Sequence, residues 1–333
     1  MDKSQSKEEV QAKKFIDNLR KMVAKKEILF YHPSIQQALE EYARDNTDEE
    51  ELEDYMNNLI KFKLLRINYE PNKISLQCDD FENRYNQLNI LHQNNPNIKH
   101  LTIDACNINI ANMKLISNFI NLEELYLGST GLHTKSGFYI KKLNKLTTLK
   151  IPDNPHLKLV DYKNITSMKT ITHLDLSSNP LNNAKIFKLI GNMNQLKVLN
   201  LDDTINKDKD NDNESYYATA IKNLPSLKIL NLSECKLTGR CLSNLQTRSL
   251  SELYLNKNKI DNEGIINISN IKSLRVLNLP KNSLGSRSIN IKPLFEMKQL
   301  KVLDLSQNSL TNDDIKDIDK LANTNIILYN NLI

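Results

Sequence analysis

Three aspartates at alternate positions, Asp208, Asp210 and Asp212, are the sequence feature that most resembles a metal site. Alternating carboxylates open the calcium-binding loop of an EF-hand, because Ca²⁺ prefers oxygen ligands. Such a loop needs glycine at its sixth position and a bidentate glutamate at its twelfth, whereas this chain has Asn213 and Thr219 there. The segment is therefore interpreted as a solvated insertion, and we expect neither a metal nor a cofactor.

The histidines and cysteines lack the spacings of ligands or nucleophiles. The six His residues show no HExxH motif and no cysteine partners at zinc spacing, and the chain has no P-loop or GxGxxG motif. The four cysteines, Cys78, Cys106, Cys235 and Cys241, are unclustered, which fits a reducing compartment. No catalytic residue is predicted, and the chain is expected not to be an enzyme.

Charge and hydropathy argue against two classes of partner. The net charge is only +5, and no basic stripe is interleaved with stacking aromatics, so no nucleic-acid partner is predicted. No apolar run approaches the ~18 to 20 residues that cross a bilayer, and the N-terminal residues lack the apolar core of a signal sequence. We expect a cytoplasmic protein that binds no membrane.

From residue 98 onwards an eleven-residue template recurs, with apolar residues at positions 1, 4, 6 and 11 and Asn, Cys or Thr at position 9. Residues 71–91 are interpreted as an eroded first unit, with Ile74 and Leu76 in its strand. A shortened tenth copy ends the chain. The nine full copies begin at Ile98, Leu122, Leu146, Ile171, Leu196, Leu227, Leu250, Leu274 and Leu300.

Each template copy is predicted to form a short strand, because the apolar residues at positions 4 and 6 alternate with outward positions. Stacked copies predict a parallel sheet. Between the copies, apolar residues recur at helical spacing, as at Ile186 and Ile190 or Ile315 and Ile318. Strands and helices therefore alternate along the chain, and the helices are expected on one side of the sheet.

The template resembles the leucine-rich repeat family, whose pattern L-x-x-L-x-L-x-x-N/C-x-L it matches over more than two thirds of the chain. The resemblance implies an α/β solenoid, or horseshoe, over residues 71–333, with a concave parallel sheet and convex helices. The helical linkers look like those of the ribonuclease-inhibitor-like subclass.

Residues 1–70 follow a different pattern and are predicted to form a small all-α module. They contain no glycine, and their apolar residues recur at the spacing of three helices. Pro71 marks the predicted boundary. The module serves either as a cap for the solenoid or as a separate recruiting domain, and the sequence leaves both open.

Position 9 is predicted to be an inward ladder of small polar residues that bond backbone groups of the turns. Asparagine fills it in six copies, which explains part of the 46 Asn residues. Cys106 and Cys235 fill it in two others. Five repeats, at ~4.8 Å each, separate these cysteines by roughly 24 Å, so we expect both to be reduced thiols.

Function is expected at positions 3, 5, 7 and 8, which face outward on the concave sheet. Acids gather there in the middle copies, whereas Lys257 and Lys281 make later copies more basic, and tyrosine is enriched in binding hot spots. The predicted partner-binding residues are Tyr126, Asp153, Asp175, Asn200, Asp202, Asp203, Asn231, Glu234, Tyr254 and Asn278.

The leading hypothesis is a non-enzymatic scaffold that binds a protein partner. Abundant Lys, Ile and Asn are typical of an AT-rich genome, as in an intracellular bacterium or a protist. A bacterial origin would favour a host-directed effector delivered into a host cytoplasm. One alternative is a GTPase-activating regulator, since a similar horseshoe activates the GTPase Ran; Arg66 and Arg84 precede the repeats. Another is a ubiquitin-ligase substrate adaptor that recruits the ligase through residues 1–70.

The end of the chain supplies a strand and a turn but no covering helix. We expect Ile326 and Leu328 to be shielded on one side only. This predicts weak self-association through the C-terminal edge, or a natural chain that continues further.

Overall fold

The computed structural model of the protein describes residues 68–70, 73–77, 88, 92, 96–205, 213–243, 245, 248–285 and 289–333. The helices predicted for residues 1–70 lie outside these ranges, except for the last three residues. Asp208, Asp210 and Asp212 also lie outside them, as do Arg66 and Arg84.

The described strands form one sheet in which strand order follows chain order from β1 to β12. Their bounds are β1 Asn68–Glu70, β2 Lys73–Gln77, β3 His100–Asp104, β4 Glu124–Gly128, β5 Thr148–Lys150, β6 His173–Asp175, β7 Val198–Asn200, β8 Ile229–Asn231, β9 Glu252–Tyr254, β10 Val276–Asn278, β11 Val302–Asp304 and β12 Asn325–Ile327. β1 is antiparallel to β2, and every later pairing is parallel. The sheet thus begins within the last three residues of the segment predicted to be helical.

The predicted template register is confirmed. Position 4 pairs with position 4 between neighbours, as Leu253 does with Leu277 and Leu277 with Leu303. The residues at positions 4 and 6 in the nine full copies are at most 2% exposed, because each lies between stacked units. The predicted strand of the eroded first unit is also present, with Ile74 and Leu76 buried in β2.

Short helices cover the other side of the core. The described α-helices are α1 Ile110–Ile116, α2 Ser136–Ile140, α3 Leu159–Thr166, α4 Ala184–Ile190, α5 Asn213–Ile221, α6 Asn262–Ser269, α7 Lys292–Phe295 and α8 Asn312–Ile315, with 3-10 helices at Arg240–Leu242 and Ile318–Leu321. The helix predicted around residues 315–321 is therefore divided between α8 and a 3-10 helix. The architecture is an α/β leucine-rich-repeat solenoid with a parallel concave sheet.

The asparagines at position 9 form the predicted ladder. Asn282 is 1% exposed, and its Nδ2 donates to the carbonyl oxygens of Leu255 and Leu279 at 2.8 and 3.0 Å. Its Oδ1 accepts from the backbone N–H of Ile260. Asn308 repeats the arrangement one unit later. Each amide therefore ties the turn of its own repeat to that of the preceding one.

Position 8 of every template copy adopts a left-handed backbone conformation, although none of these residues is glycine. Their φ values lie between 48° and 56°. Ten residues share this geometry: Ala105, Ser129, Asp153, Ser178, Asp203, Glu234, Lys257, Lys281, Gln307 and Asn330. The chain thus turns in the same way at the end of each strand.

The two cysteines at position 9 are both buried but differ in their covalent state. Cys235 is a free thiol, as predicted. Cys106 is disulfide-bonded, so the expected free thiol is wrong there. The prediction excluded a bond between Cys106 and Cys235 by distance, but that argument did not extend to other partners.

The C-terminal edge is built by β12, which pairs with β11. Ile326 and Leu328 are partly buried and pack against the core, whereas Tyr329 and Leu332 are 57% and 69% exposed. Self-association through this edge stays a prediction.

Candidate protein-binding face

The outward residues of the parallel strands form a continuous, half-buried surface. Positions 3 and 5 of each strand flank a buried position 4, so their side chains leave the sheet on the concave side. We call the outward residues at positions 3, 5, 7 and 8 the concave face.

A cavity of about 280 Å³ lies near the middle of the concave face, where β5 to β9 contribute neighbouring side chains. Four predicted binding residues, Asp175, Asn200, Asn231 and Tyr254, line this central cavity. The remaining lining residues are Lys150, His173, Leu174, Val198, Leu199 and Ile229. The structure therefore gathers one part of the predicted set around a single depression.

Val198 and Ile229 give the central cavity an aliphatic section. They occupy position 3 of neighbouring strands and pair in register across β7 and β8. Both are half-buried although they face outward. Aliphatic groups at an outward position favour contact with a partner's apolar atoms, because that contact removes their surface from water.

Hydrogen bonds fix the polar side chains beside this section. Asn200 Nδ2 donates to Asp175 Oδ2 at 3.0 Å. Asp175 Oδ1 accepts from the backbone N–H of Ser177 at 2.8 Å, and Asn200 Oδ1 accepts from the backbone N–H of Asp202 at 3.1 Å. Asn231 Oδ1 likewise accepts from the N–H of Ser233. These orientations are set before any partner arrives, which reduces the entropy that binding must remove.

The cationic groups at one side of the central cavity are already compensated. Lys150 Nζ donates to Glu124 at 2.6 Å, and His100 contacts the other oxygen of Glu124 at 3.3 Å. Burial lowers the pKa of His173, and the nearby charges of Lys197 and Lys150 lower it further. These effects favour the neutral form of His173.

Acidic groups dominate the other side, where the strands end. Burial raises the pKa of Asp202 to about 6, and repulsion from Glu234, Asp203 and Asp175 adds to the shift. Asp202 Oδ1 is shielded from solvent and accepts no hydrogen bond from the described residues. Lys257 donates to Glu234 at 2.5 Å. The predicted acidic patch is thus a real cluster with one paired lysine.

Tyr254 closes the central cavity on the β9 side. Its Oη donates to Glu252 Oε2 at 2.8 Å. Burial raises the pKa of Tyr254 to about 12, and the hydrogen bond and charge of Glu252 contribute to the shift. The hydroxyl therefore stays protonated and the ring is held at the cavity edge.

Three predicted residues lie outside both the central cavity and the acidic cluster. Tyr126 Oη points towards Asp104 at 3.5 Å, and its ring passes over Gly128, where a Cβ atom would come within 2.7 Å of the ring. Asp153 accepts from Ser129 at 2.8 Å, and Asn278 donates to Asp304 at 3.1 Å. These side chains extend the concave face without joining its centre.

The sequence reasoning missed Lys150, His173, Val198 and Ile229 as members of the site. The signal was nonetheless present, since Val198 and Ile229 place β-branched aliphatic residues at the outward position 3 of two successive copies.

The described thiols are unsuited to nucleophilic chemistry. Burial raises the pKa of Cys235 to about 11, and burial also raises the pKa of Cys241.

No group of three or more His, Cys, Asp or Glu residues that could hold a metal ion occurs in the part of the chain that the structure describes. Within the same ranges, each helix is too short or too polar to cross a membrane.

Comparison with known proteins supports the repeat assignment. The Leucine Rich Repeat family model matches residues 226–247 and 299–321. No curated protein matches the chain. Among solved structures, an internalin (inlF) from Listeria monocytogenes is 19% identical, with 79% of this chain and 82% of that one covered and a TM-score of 0.45. Internalin C2 (inlC2) from the same organism is 24% identical, with 64% and 83% covered and a TM-score of 0.45. The family match and the repeating sheet together support a leucine-rich repeat protein.

Proposed function

We propose that the chain is a non-enzymatic scaffold that binds a protein partner on its concave face. The observation that carries the proposal is the central cavity, where Asp175, Asn200, Asn231 and Tyr254 converge on an aliphatic section. Oriented polar groups around a partly apolar depression are the arrangement expected of a binding hot spot.

The opposite faces of each strand make this proposal testable, because outward residues can be changed without touching the core. We expect Tyr126→Ala, Asp175→Lys, Asp202→Lys and Tyr254→Ala, made singly in the full chain, to weaken partner binding. Loss of a central hot-spot contact commonly exceeds ~1 to 2 kcal/mol, or about tenfold in affinity.

The test begins with partner capture from cell lysates and proceeds to affinity measurements on the purified partner. Lys188→Ala on the exposed side of α4 is the control and should bind normally. Melting temperatures identify any variant that fails to fold. If all four concave variants bind normally and deletion of residues 1–70 abolishes capture, the N-terminal segment carries recognition and the proposal is wrong.

The finer hypotheses about biological setting stay predictions. They are the host-directed effector, the GTPase-activating regulator, the ubiquitin-ligase adaptor and membership of the ribonuclease-inhibitor-like subclass.

The disulfide at Cys106 weighs against the predicted cytoplasmic location, because disulfides persist mainly in oxidising compartments. The protein can be isolated from its natural source, denatured without a reducing agent, alkylated and analysed by mass spectrometry. This should label Cys235 and Cys241 but leave Cys106 unlabelled. Labelling of Cys106 would restore the cytoplasmic prediction.

A further inference from the structure

The central cavity places aliphatic and acidic groups at a separation that suits one kind of side chain. Val198 occupies position 3 of β7, and Asp175 lies beside Asn200 at position 5. Two residues of a strand span about 6.6 Å. This is comparable to the reach of an extended lysine or arginine side chain, whose stem packs on apolar surface while its head stays at a polar boundary.

The charges around the central cavity indicate whether a cationic or an anionic side chain fits there. Lys150 is the cross-strand neighbour of Asp175, but its ammonium group donates to Glu124 at 2.6 Å. Asp175 receives hydrogen bonds from neutral groups, and Asp202 has a shielded oxygen that accepts none from the described residues. A cationic occupant would meet more carboxylates than ammonium groups, because Lys150 and Lys257 are each hydrogen-bonded to a further carboxylate, Glu124 and Glu234.

The rest of the acidic side does not remove this imbalance. Asp203 and Glu234 border Asp202, and Lys257 is hydrogen-bonded to Glu234. The whole chain carries a net charge of +5, so its long-range electrostatic field would repel a basic partner. A basic partner must therefore be recognised locally.

Tyr254 supplies a second feature that favours a cation. Its side chain lines the cavity at β9, and its hydroxyl donates to Glu252. An aromatic ring stabilises a nearby ammonium or guanidinium group through its quadrupole, and does so more strongly where water is partly excluded.

We infer that the protein partner presents a basic segment, one of whose lysine or arginine side chains enters the central cavity. Its methylene groups lie on Val198 and Ile229, and its charged end faces Asp175 and Asp202. This inference rests on the proposed function and specifies the partner chemistry of the same face.

Selection of random-sequence peptides displayed on phage, with the full-length chain as bait, tests the inference without knowledge of the partner. We expect the recovered peptides to be enriched in lysine and arginine. The double variant Asp175→Asn with Asp202→Asn should weaken their binding at least tenfold. The matched control, Asp313→Asn with Asp319→Asn, removes two exposed charges near α8 and should leave binding unchanged.

A second pair of variants tests the aliphatic section. Ile229→Ser should weaken the same peptides at least fivefold, whereas Ile266→Ser on α6, where the side chain is 52% exposed, should not. Melting temperatures of all four variants should stay near that of the unchanged protein, which separates lost contacts from lost folding.

The possible failures are distinguishable. Recovered peptides that lack basic residues but still depend on Ile229 overturn the basic-segment inference and leave the proposed function intact. Recovered peptides that bind every concave variant normally, or a selection that yields no peptide dependent on this face, count against both.

Discussion

The two faces of the same strands differ in what they tolerate. In β9, Leu253 is fully buried and has a leucine or isoleucine counterpart in every strand from β2 to β12. Its neighbours Glu252 and Tyr254 face outward, and the corresponding residues of other strands vary in charge, size and polarity. One face is therefore required by stacking, and the other is free to serve recognition. Adjacent residues of one strand therefore differ in role, since one packs in the core and the next is available to a partner.

The largest expected effect is on the inward face. Leu253→Ala or Leu277→Ala should lower the free energy of unfolding by about 2 to 5 kcal/mol, because each removes a fully buried side chain and leaves a cavity. Chemical denaturation measures the change. The outward neighbour Val276→Ala is the control, and a loss at Leu253 no greater than that at Val276 would break the distinction between the faces.

The next effect concerns the asparagine ladder. Asn282→Ala should cost about 1 to 3 kcal/mol, since it leaves the carbonyls of Leu255 and Leu279 without their side-chain donor. Denaturation of Asn278→Ala, which removes an outward amide bonded to Asp304, provides the comparison. Equal losses at the two positions would show that burial does not decide the value of an amide here.

A smaller effect should appear as pH dependence at Asp202. Its folded-state pKa is raised to about 6, above that of the unfolded chain, so stability from this group is full below about pH 4 and is lost as pH rises through 6. Asp202→Asn should therefore be more stable than the unchanged protein at pH 7, by about 1 kcal/mol after allowance for solvent screening, and equal to it at pH 4.

Melting curves between pH 4 and pH 8 would measure this difference. Asp319→Asn, at an exposed position of the final 3-10 helix, should show no such trend. A gain at Asp202 that is constant across the pH range would mean that the ionisation of Asp202 is not its cause.

The smallest effect is expected at Tyr254. Tyr254→Phe removes the outward hydrogen bond to Glu252 and should change the free energy of unfolding by less than about 0.5 kcal/mol, because both side chains remain accessible to water. Denaturation at neutral pH checks this. A loss comparable to that of Asn282→Ala would place Tyr254 among the structural residues.

The repeat register was predictable because it follows from a strict local rule. The buried leucines, the parallel order and the inward asparagines all depend on spacing within eleven residues, and the structure has them where the template places them. The concave residues at the centre were partly predictable for the same reason, as at Asp175 and Tyr254.

Contacts between repeats were not predictable, because they depend on which residues of successive units come together. Asp161 is fully buried and accepts the backbone N–H of Gly137 from the preceding unit. Glu214 accepts from the N–H groups of Thr238, Gly239 and Cys241 in the next unit. No pattern within one template copy marks either carboxylate as a bridge.

The left-handed residue at position 8 has a consequence for engineering the array. A non-glycine residue in this conformation stores roughly 1 kcal/mol or more of conformational strain, and the solenoid repeats it in ten copies. Asn330 is already an asparagine, and most of the other nine side chains are exposed, so glycine or asparagine could replace them without altering the core. Thermal tolerance should then increase in steps with the number of copies changed, which makes this turn a tunable element for consensus versions of the protein.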